Sequence, residues 1–353
     1  MKPPLKDIKI FKTYKLIIIM ENKKYEKFLK KLNSAYNLGN YPKAINLSNK
    51  LLKIESKDNL AIYNMKSIAL THLNKYEDAI NVIDEALNFY PDNPVLISNK
   101  ATFLVGVNKE KALIEMDKVL KLLGEDDDKI RISTLYNKAS LLKDSCQYEE
   151  SLKSLNELLK ISSDDFEALT DKIDVLIKLK EYDEGIKTCD KILDIDPSNM
   201  KAIINKSGML NKIGKTRQSN ETLNQLKYFG YSENLIILNK GIISMDNGDY
   251  EESLNYFNQL LNKNSQDFQV IHYIGRVHKE MGDYKTSLKY YDEILANAKD
   301  PEIVFNTHYH KGVVLNKLQR YEEALKSFNT IPDSLKEFKE LMADDKKEAL
   351  ENL

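Results

Sequence analysis

The 353-residue chain contains no tryptophan, two cysteines, twelve glycines and eight prolines, and each scarcity excludes something. Cys146 and Cys189 lie far apart and form no CxxC phrase, so a disulfide framework and a cysteine zinc site are both excluded and a reducing, cytoplasmic compartment is expected. Few glycines and prolines, with charged residues at 30% drawn mainly from Lys and Glu, point to helices with solvated outer faces and to an all-α class. A net charge of −1 gives no global reason to bind nucleic acid, membranes or polyanions. The apolar run Leu16-Ile-Ile-Ile-Met20 is too short to span a bilayer and lacks a small-residue cleavage site.

Chemistry-bearing motifs are missing as well. No glycine-rich phosphate loop, HExxH phrase or serine elbow occurs. His308 and His310 are two apart and point to different faces of a helix, and His272 and His278 fare little better at six apart. Carboxylate pairs such as Glu149-Glu150 and Glu322-Glu323 recur beside a tyrosine as solvated helix surface. No catalytic residue, metal, cofactor or small-molecule substrate is therefore expected, and Cys189 reads as core while Cys146 reads as an inter-helix turn.

What is present is a period. A phrase of Tyr, two polar residues, a small residue and an aliphatic one appears at Tyr41, Tyr76, Tyr148, Tyr182, Tyr250, Tyr284 and Tyr321. Its small residue falls at Ala44, Ala79, Ala112, Ser151, Gly185, Ser219, Ser253, Ser287 and Ala324, at spacings scattered around 34. Each period reads as two amphipathic helices. Gly248 and Gly282 mark the inner turn, and Pro91-Asp-Asn93 and Pro197-Ser-Asn199 mark the outer one. Small residues at the repeated position let the paired helices approach. Aliphatic and aromatic stripes such as Ile83, Ala86, Leu87 and Phe257, Leu260, Leu261 need a stacked neighbour for burial.

This pattern resembles the tetratricopeptide repeat family over about residues 25–332. It is most regular in the three units that contain Gly241 with Tyr250, Gly275 with Tyr284 and Gly312 with Tyr321. The resemblance implies an all-α, right-handed solenoid (superhelix) of about nine helix-turn-helix repeats. The expected division is an extension over 1–20, disordered or upstream of a true start at Met20, a repeat array over 21–333, and a C-terminal capping helix over 334–353. That helix would place Leu335, Phe338, Leu341 and Met342 on one face. Departures are the missing Trp of the first helix, an acidic insert over 125–128, and a polar second helix at Thr216–Phe229 that invites a hinge.

In the family, partners bind the concave surface lined by first helices, and the resemblance implies a protein or peptide partner there. An Asn-Lys pair recurs just before the small residue of the first helix, at Asn99, Asn137, Asn205 and Asn239, with Asp171 substituting. A carboxamide offers both donor and acceptor to an extended backbone. Family register adds Tyr136, Ser140, Ile204, Leu238, Ile242, Met245, His272, Arg276 and Tyr309 to the groove. Asn64, Ser98 and Thr102 stand where some members carry a basic clamp, and Arg276 with Lys279 is the better pair for meeting a carboxylate. The rival reading uses the N-terminal arm, whose ten lysines against three acids over residues 1–31 would suit nucleic acid or a membrane.

Overall fold

In the computed structural model the described residues, 24–54, 59–124, 126–332 and 334–353, form helices and turns with no strand among them. The expected N-terminal extension over 1–20 lies outside these residues. The chain divides after Leu179 into two compact units. The first holds α1 (24–37), α2 (Tyr41–Leu51), α3 (Leu60–Thr71), α4 (Tyr76–Leu87), α5 (Pro94–Leu104), α6 (Lys109–Leu122), α7 (Asp128–Asp144), α8 (Tyr148–Ile161) and α9 (Phe166–Leu179). The second holds α10 (Tyr182–Ile195), α11 (Met200–Lys212), α12 (Thr216–Asn224), α13 (Glu233–Asn247), α14 (Tyr250–Lys263), α15 (Phe268–Glu280), α16 (Tyr284–Asn297), α17 (Pro301–Lys317), α18 (Tyr321–Asn329), α19 (Lys336–Leu341) and α20 (Ala343–Glu351).

The turns follow from local chemistry. Two residues before the start of every second helix except α6 the backbone enters the left-handed region, which ends the preceding helix. Gly39, Gly214, Gly248 and Gly282 do this without steric cost. Asn74, Cys146, Lys180 and Gln319 adopt the same conformation with φ between 57° and 59°. At outer turns, Asn93 and Asn199 accept from the backbone N–H of Leu96 and Ala202, satisfying the free donors of α5 and α11. Acidic pairs in the first turn of second helices, such as Glu149-Glu150 and Glu251-Glu252, are exposed and sit at the positive end of the helix dipole.

Packing within a helix pair depends on two matched positions. In the first unit Ala101 shares a core cluster with Met116, and Ala139 shares one with Leu155. In the last three pairs of the second unit the corresponding residues are glycine and aromatic. A Cβ placed on Gly241, Gly275 or Gly312 would come within 2.5, 2.6 or 2.4 Å of the rings of Phe257, Tyr291 and Phe328. The recurring serine of the second helix does more than stay small. Ser151, Ser253 and Ser287 donate to the carbonyls of Ala139, Gly241 and Gly275 at 2.7–2.8 Å, and all three serines are fully buried.

Ion pairs stitch consecutive helix pairs. Lys100 meets Asp84 at 2.8 Å, Lys138 meets Asp117 at 2.6 Å, Lys206 meets Asp190 at 2.5 Å, and Lys311 meets Asp292 at 2.6 Å. Each Asp stands eight positions after the first residue of its second helix, and each Lys lies on the next first helix. The Lys of the Asn-Lys phrase is thus a structural residue of the repeat interface. At the sixth pair that Asp is replaced by Asn224, and Lys240 forms no ion pair among the described residues.

The sixth second helix is also short. α12 ends at Asn224, tightens into a 3-10 turn over Gln225–Phe229, and stops at Gly230 with φ of 82°. The C-terminal segment forms two short helices rather than one, because the chain leaves α19 at Leu341 and restarts at Ala343. Met342 and Ala349 enter the cluster of Val314, Phe328 and Ile331, with Leu335 and Phe338 beside it, while Leu341 faces solvent.

Candidate functional site

Within each unit, first helices of consecutive pairs lie beside one another, and their half-buried polar residues come together in a regular way. The residue two before the small position of one first helix meets the residue three before it on the preceding helix. Tyr136 of α7 senses Asp171 of α9 in this way: burial first, then Asp171, pushes its hydroxyl up. In α15 and α17 the same juxtaposition brings the rings of His272 and His310 to 5.1 Å between centroids.

The proposed carboxamide row is therefore partly occupied by the protein itself. Asn99 donates its side-chain amide to the Asn64 carboxamide at 3.1 Å. Asp171 is held by Lys143 at 2.5 Å, and Asn239 donates to the Leu235 carbonyl of its own helix at 2.8 Å. Asn137 and Asn205 are half-buried and make no side-chain hydrogen bond among the described residues. Of the aliphatic positions, Leu238 and Ile242 are half-buried at the edge of the Phe257 cluster. Met245 is corrected to a core residue: at 4% exposure it belongs to that cluster, since it falls on the face of α13 turned toward α14. Tyr309 donates to Asp345 of α20 at 3.4 Å, and Asn316 donates to the Asp345 carbonyl, so the C-terminal segment lies against this end of α17. Lys279 pairs with the neighbouring Glu280.

Arg276 stands in a different setting. It lines an open cavity of about 360 Å³ between α15 and α17, together with His272, Tyr273, Asn306 and His310, and Asp300 and Glu302 also line it. The guanidinium carbon lies 5.5 Å from the Tyr273 ring centroid. Arg276 Nε is buried without a hydrogen-bond partner, and no ion pair is formed by this side chain among the described residues. Burial, then the charges of Arg276 and Lys279, lowers the His272 pKa to about 4. Burial holds His310 well below the ordinary histidine value, with His272, Lys279 and Arg276 adding to the effect. Both rings are neutral at pH 7. Thr307 Oγ1 gives its only proton to the Ile303 carbonyl at 2.7 Å, so at 3.1 Å it accepts from His272 and fixes the His272 proton on Nδ1.

Sequence reasoning found Arg276 and His272 but missed Tyr273 and His310. The signal was available: both stand two residues before a glycine, as Asn239 stands before Gly241. The Asn-Lys phrase hid them, because Tyr273 is followed by Ile274 and His310 by Lys311. No helix among the described residues is long and apolar enough to cross a membrane.

Stacked helix hairpins joined by a repeated pair of turns define an α-solenoid. The tetratricopeptide repeat family matches residues 29–94 and 136–199, while residues 242–335 match the TT21 fifth ARM repeats domain. The phrases at Tyr250, Tyr284 and Tyr321 fall in the last of these spans. A tetratricopeptide repeat protein from Parabacteroides merdae ATCC 43184 is similar in fold, with a TM-score of 0.52 and 19% identity over 82% of this chain and 97% of that one. MamA from Desulfovibrio magneticus RS-1, residue 41 to its end, shares 19% identity over 50% of this chain and all of its own, at a TM-score of 0.42. YrrB, described as a tetratricopeptide repeat protein with an unusual peptide-binding site, shares 16% identity over 54% and 96%, at 0.41. No curated protein sequence matches the chain. The chain carries tetratricopeptide repeats over residues 29–94 and 136–199 and has the fold of a tetratricopeptide repeat protein.

Proposed function

We propose that this protein is a non-catalytic, cytoplasmic scaffold that holds peptide segments of a partner protein along its first helices. The repeat array then spans residues 21–333, and residues 334–353 close its end. The observation that carries the reading is that Asn137 in the first unit and Asn205 in the second, at the same position of the repeat, keep both amide protons and the carbonyl oxygen uncommitted. Such carboxamides satisfy the alternating N–H and C=O groups of an extended backbone without reading its sequence. Half-buried Tyr136 in the first unit, and half-buried Leu238 and Ile242 in the second, supply apolar contact within their own units.

The reading is tested by affinity capture from native lysate with wild type, an Asn137→Ala/Asn205→Ala variant and an Asn239→Ala variant, matched for helicity by circular dichroism. A partner retained by wild type and by Asn239→Ala, and lost by the double variant, supports a row that grips backbone. Equal capture by all three removes the row from the binding surface. Asn239 serves as the control because its amide is already tied to Leu235.

A further inference from the structure

The joints between helix pairs of the second unit are not alike. Lys206 of α11 reaches Asp190 of α10 at 2.5 Å, and Lys311 of α17 reaches Asp292 of α16 at 2.6 Å. Between α14 and α15 the two charges are replaced by Asn258 and by buried Ile274, and Phe257 stacks on Tyr273 with 5.5 Å between ring centroids. Between α12 and α13 the lysine remains as Lys240 while its acid has become Asn224. Neither side chain makes an ion pair or hydrogen bond among the described residues. Of these joints, only this one leaves the second helix without an ionic or aromatic tie to the next pair.

The helix that should bear the acid is also cut short. α12 has 9 residues against 14 in α10, α14 and α16. Its last turn is drawn into the 3-10 segment before Gly230, which leaves Tyr228 88% exposed. Leu223 stands where Phe257, Tyr291 and Phe328 stand in later pairs, so the joint is filled by aliphatic side chains without a buried ring. The first helices are tied instead. Asn247 donates to the Asn211 carbonyl at 3.3 Å and Lys212 to the Asp246 carbonyl, while at the opposite end Tyr231 donates to the Ser198 carbonyl at 3.4 Å.

We propose that the joint between α12 and α13 is a hinge built into the second unit. A hinge needs one edge held and the other free. Here the held edge is the tied pair of first helices, α11 and α13, and the free edge is the side on which Asn224 faces Lys240. Buried Ser207 donates to the Ser219 carbonyl at 2.9 Å, so α12 moves together with α11 when it swings away from α13. The same rotation tilts α11 against α13 and changes the spacing between Ile204 and Asn205 on one helix and Leu238 and Asn239 on the other. The hinge stands without the scaffold reading, because every tie it invokes is internal to the chain.

The test is double electron–electron resonance on the full chain, spin-labelled at equivalent exposed positions of α12, α14 and α16. Cys146→Ser removes the exposed native thiol, and Cys189 is buried. Labels at Glu221→Cys and Asn255→Cys span the joint, and labels at Asn255→Cys and Lys289→Cys span the next one. The first distance distribution should be roughly twice as wide as the second. Asn224→Asp restores the acid opposite Lys240 and should narrow the first distribution while leaving the second unchanged. It should also raise the protection factors of amides in α12 by roughly two- to fivefold, the gain an exposed ion pair supplies. Adding Lys240→Met should abolish both effects, which separates the ion pair from a change within α12 itself. Equal widths before Asn224 is changed, a first width that Asn224→Asp leaves as it was, or narrowing that persists with Lys240→Met overturns the hinge.

Discussion

The two units solve one packing problem with different residues. In the first, an alanine of the first helix faces a methionine or leucine of the second, as in Ala101 with Met116 and Ala139 with Leu155. In the second unit, Gly241, Gly275 and Gly312 lie under Phe257, Tyr291 and Phe328, so closely that a methyl group has no room. What the repeat keeps is the combined volume of the pair, and neither residue alone. The difference carries into the polar row. Asn99 and Asp171 are engaged by Asn64 and Lys143, whereas the equivalent positions in α15 and α17 are Tyr273 and His310, which line one cavity with Arg276.

The largest effect should come from breaking the volume match. Gly312→Ala forces a Cβ into the fully buried Phe328 ring and should cost about 3 kcal/mol, read as a fall in the urea midpoint. Adding Phe328→Leu imports the first unit's pairing. The double variant should then be more stable than the sum of the single losses by about 1 kcal/mol or more. Strict additivity would mean that the two positions do not share one volume.

Acid should separate the units next. The folded-state His272 pKa of about 4 lies below the unfolded value of 6.5, so the unfolded chain binds more protons between these limits. Stability is complete above pH 6.5 and declines as pH falls toward 4, by on the order of 3 kcal/mol from this group. His310 shifts in the same direction. The protection factors of amides in α15 and α17, corrected for the pH dependence of intrinsic exchange, should fall between pH 7 and 4.5, and His272→Gln should flatten that dependence. A flat profile in the unmodified chain would remove the buried neutral histidines as a distinguishing feature of the second unit.

The smallest effect concerns the turns, where the units behave alike. Cys146 in the first and Gln319 in the second hold a left-handed backbone that glycine takes without strain. Cys146→Gly and Gln319→Gly should each stabilise by about 0.5–1 kcal/mol, visible as a small rise in thermal midpoint. A loss at either site would show that the side chain contributes more than its backbone costs.

Much of the fold was legible because helix pairs repeat the same steric demand: the small residue, the turn tyrosine and the glycine or asparagine punctuation all fall where the structure uses them. The left-handed turn residues without glycine escaped notice because Asn74, Cys146, Lys180 and Gln319 share no side-chain chemistry, only a position. The Asn-Lys phrase was read as one feature, although its two residues separate in space. The Lys turns back to an Asp of the preceding pair, and that long-range partner lies 16 to 21 residues upstream, outside any local pattern. The break in the C-terminal segment and the burial of Met245 depend on which neighbour each face meets, which helical spacing alone does not specify.

The third helix pair carries both halves of the interface bridge, Lys100 reaching back and Asp117 reaching forward. A tandem copy of this pair would join its twin through Lys100 of the copy and Asp117 of the original, and would present the same two ends to its flanking neighbours. The array can therefore be lengthened at this one place without designing a new joint, which makes the third pair its natural unit of growth.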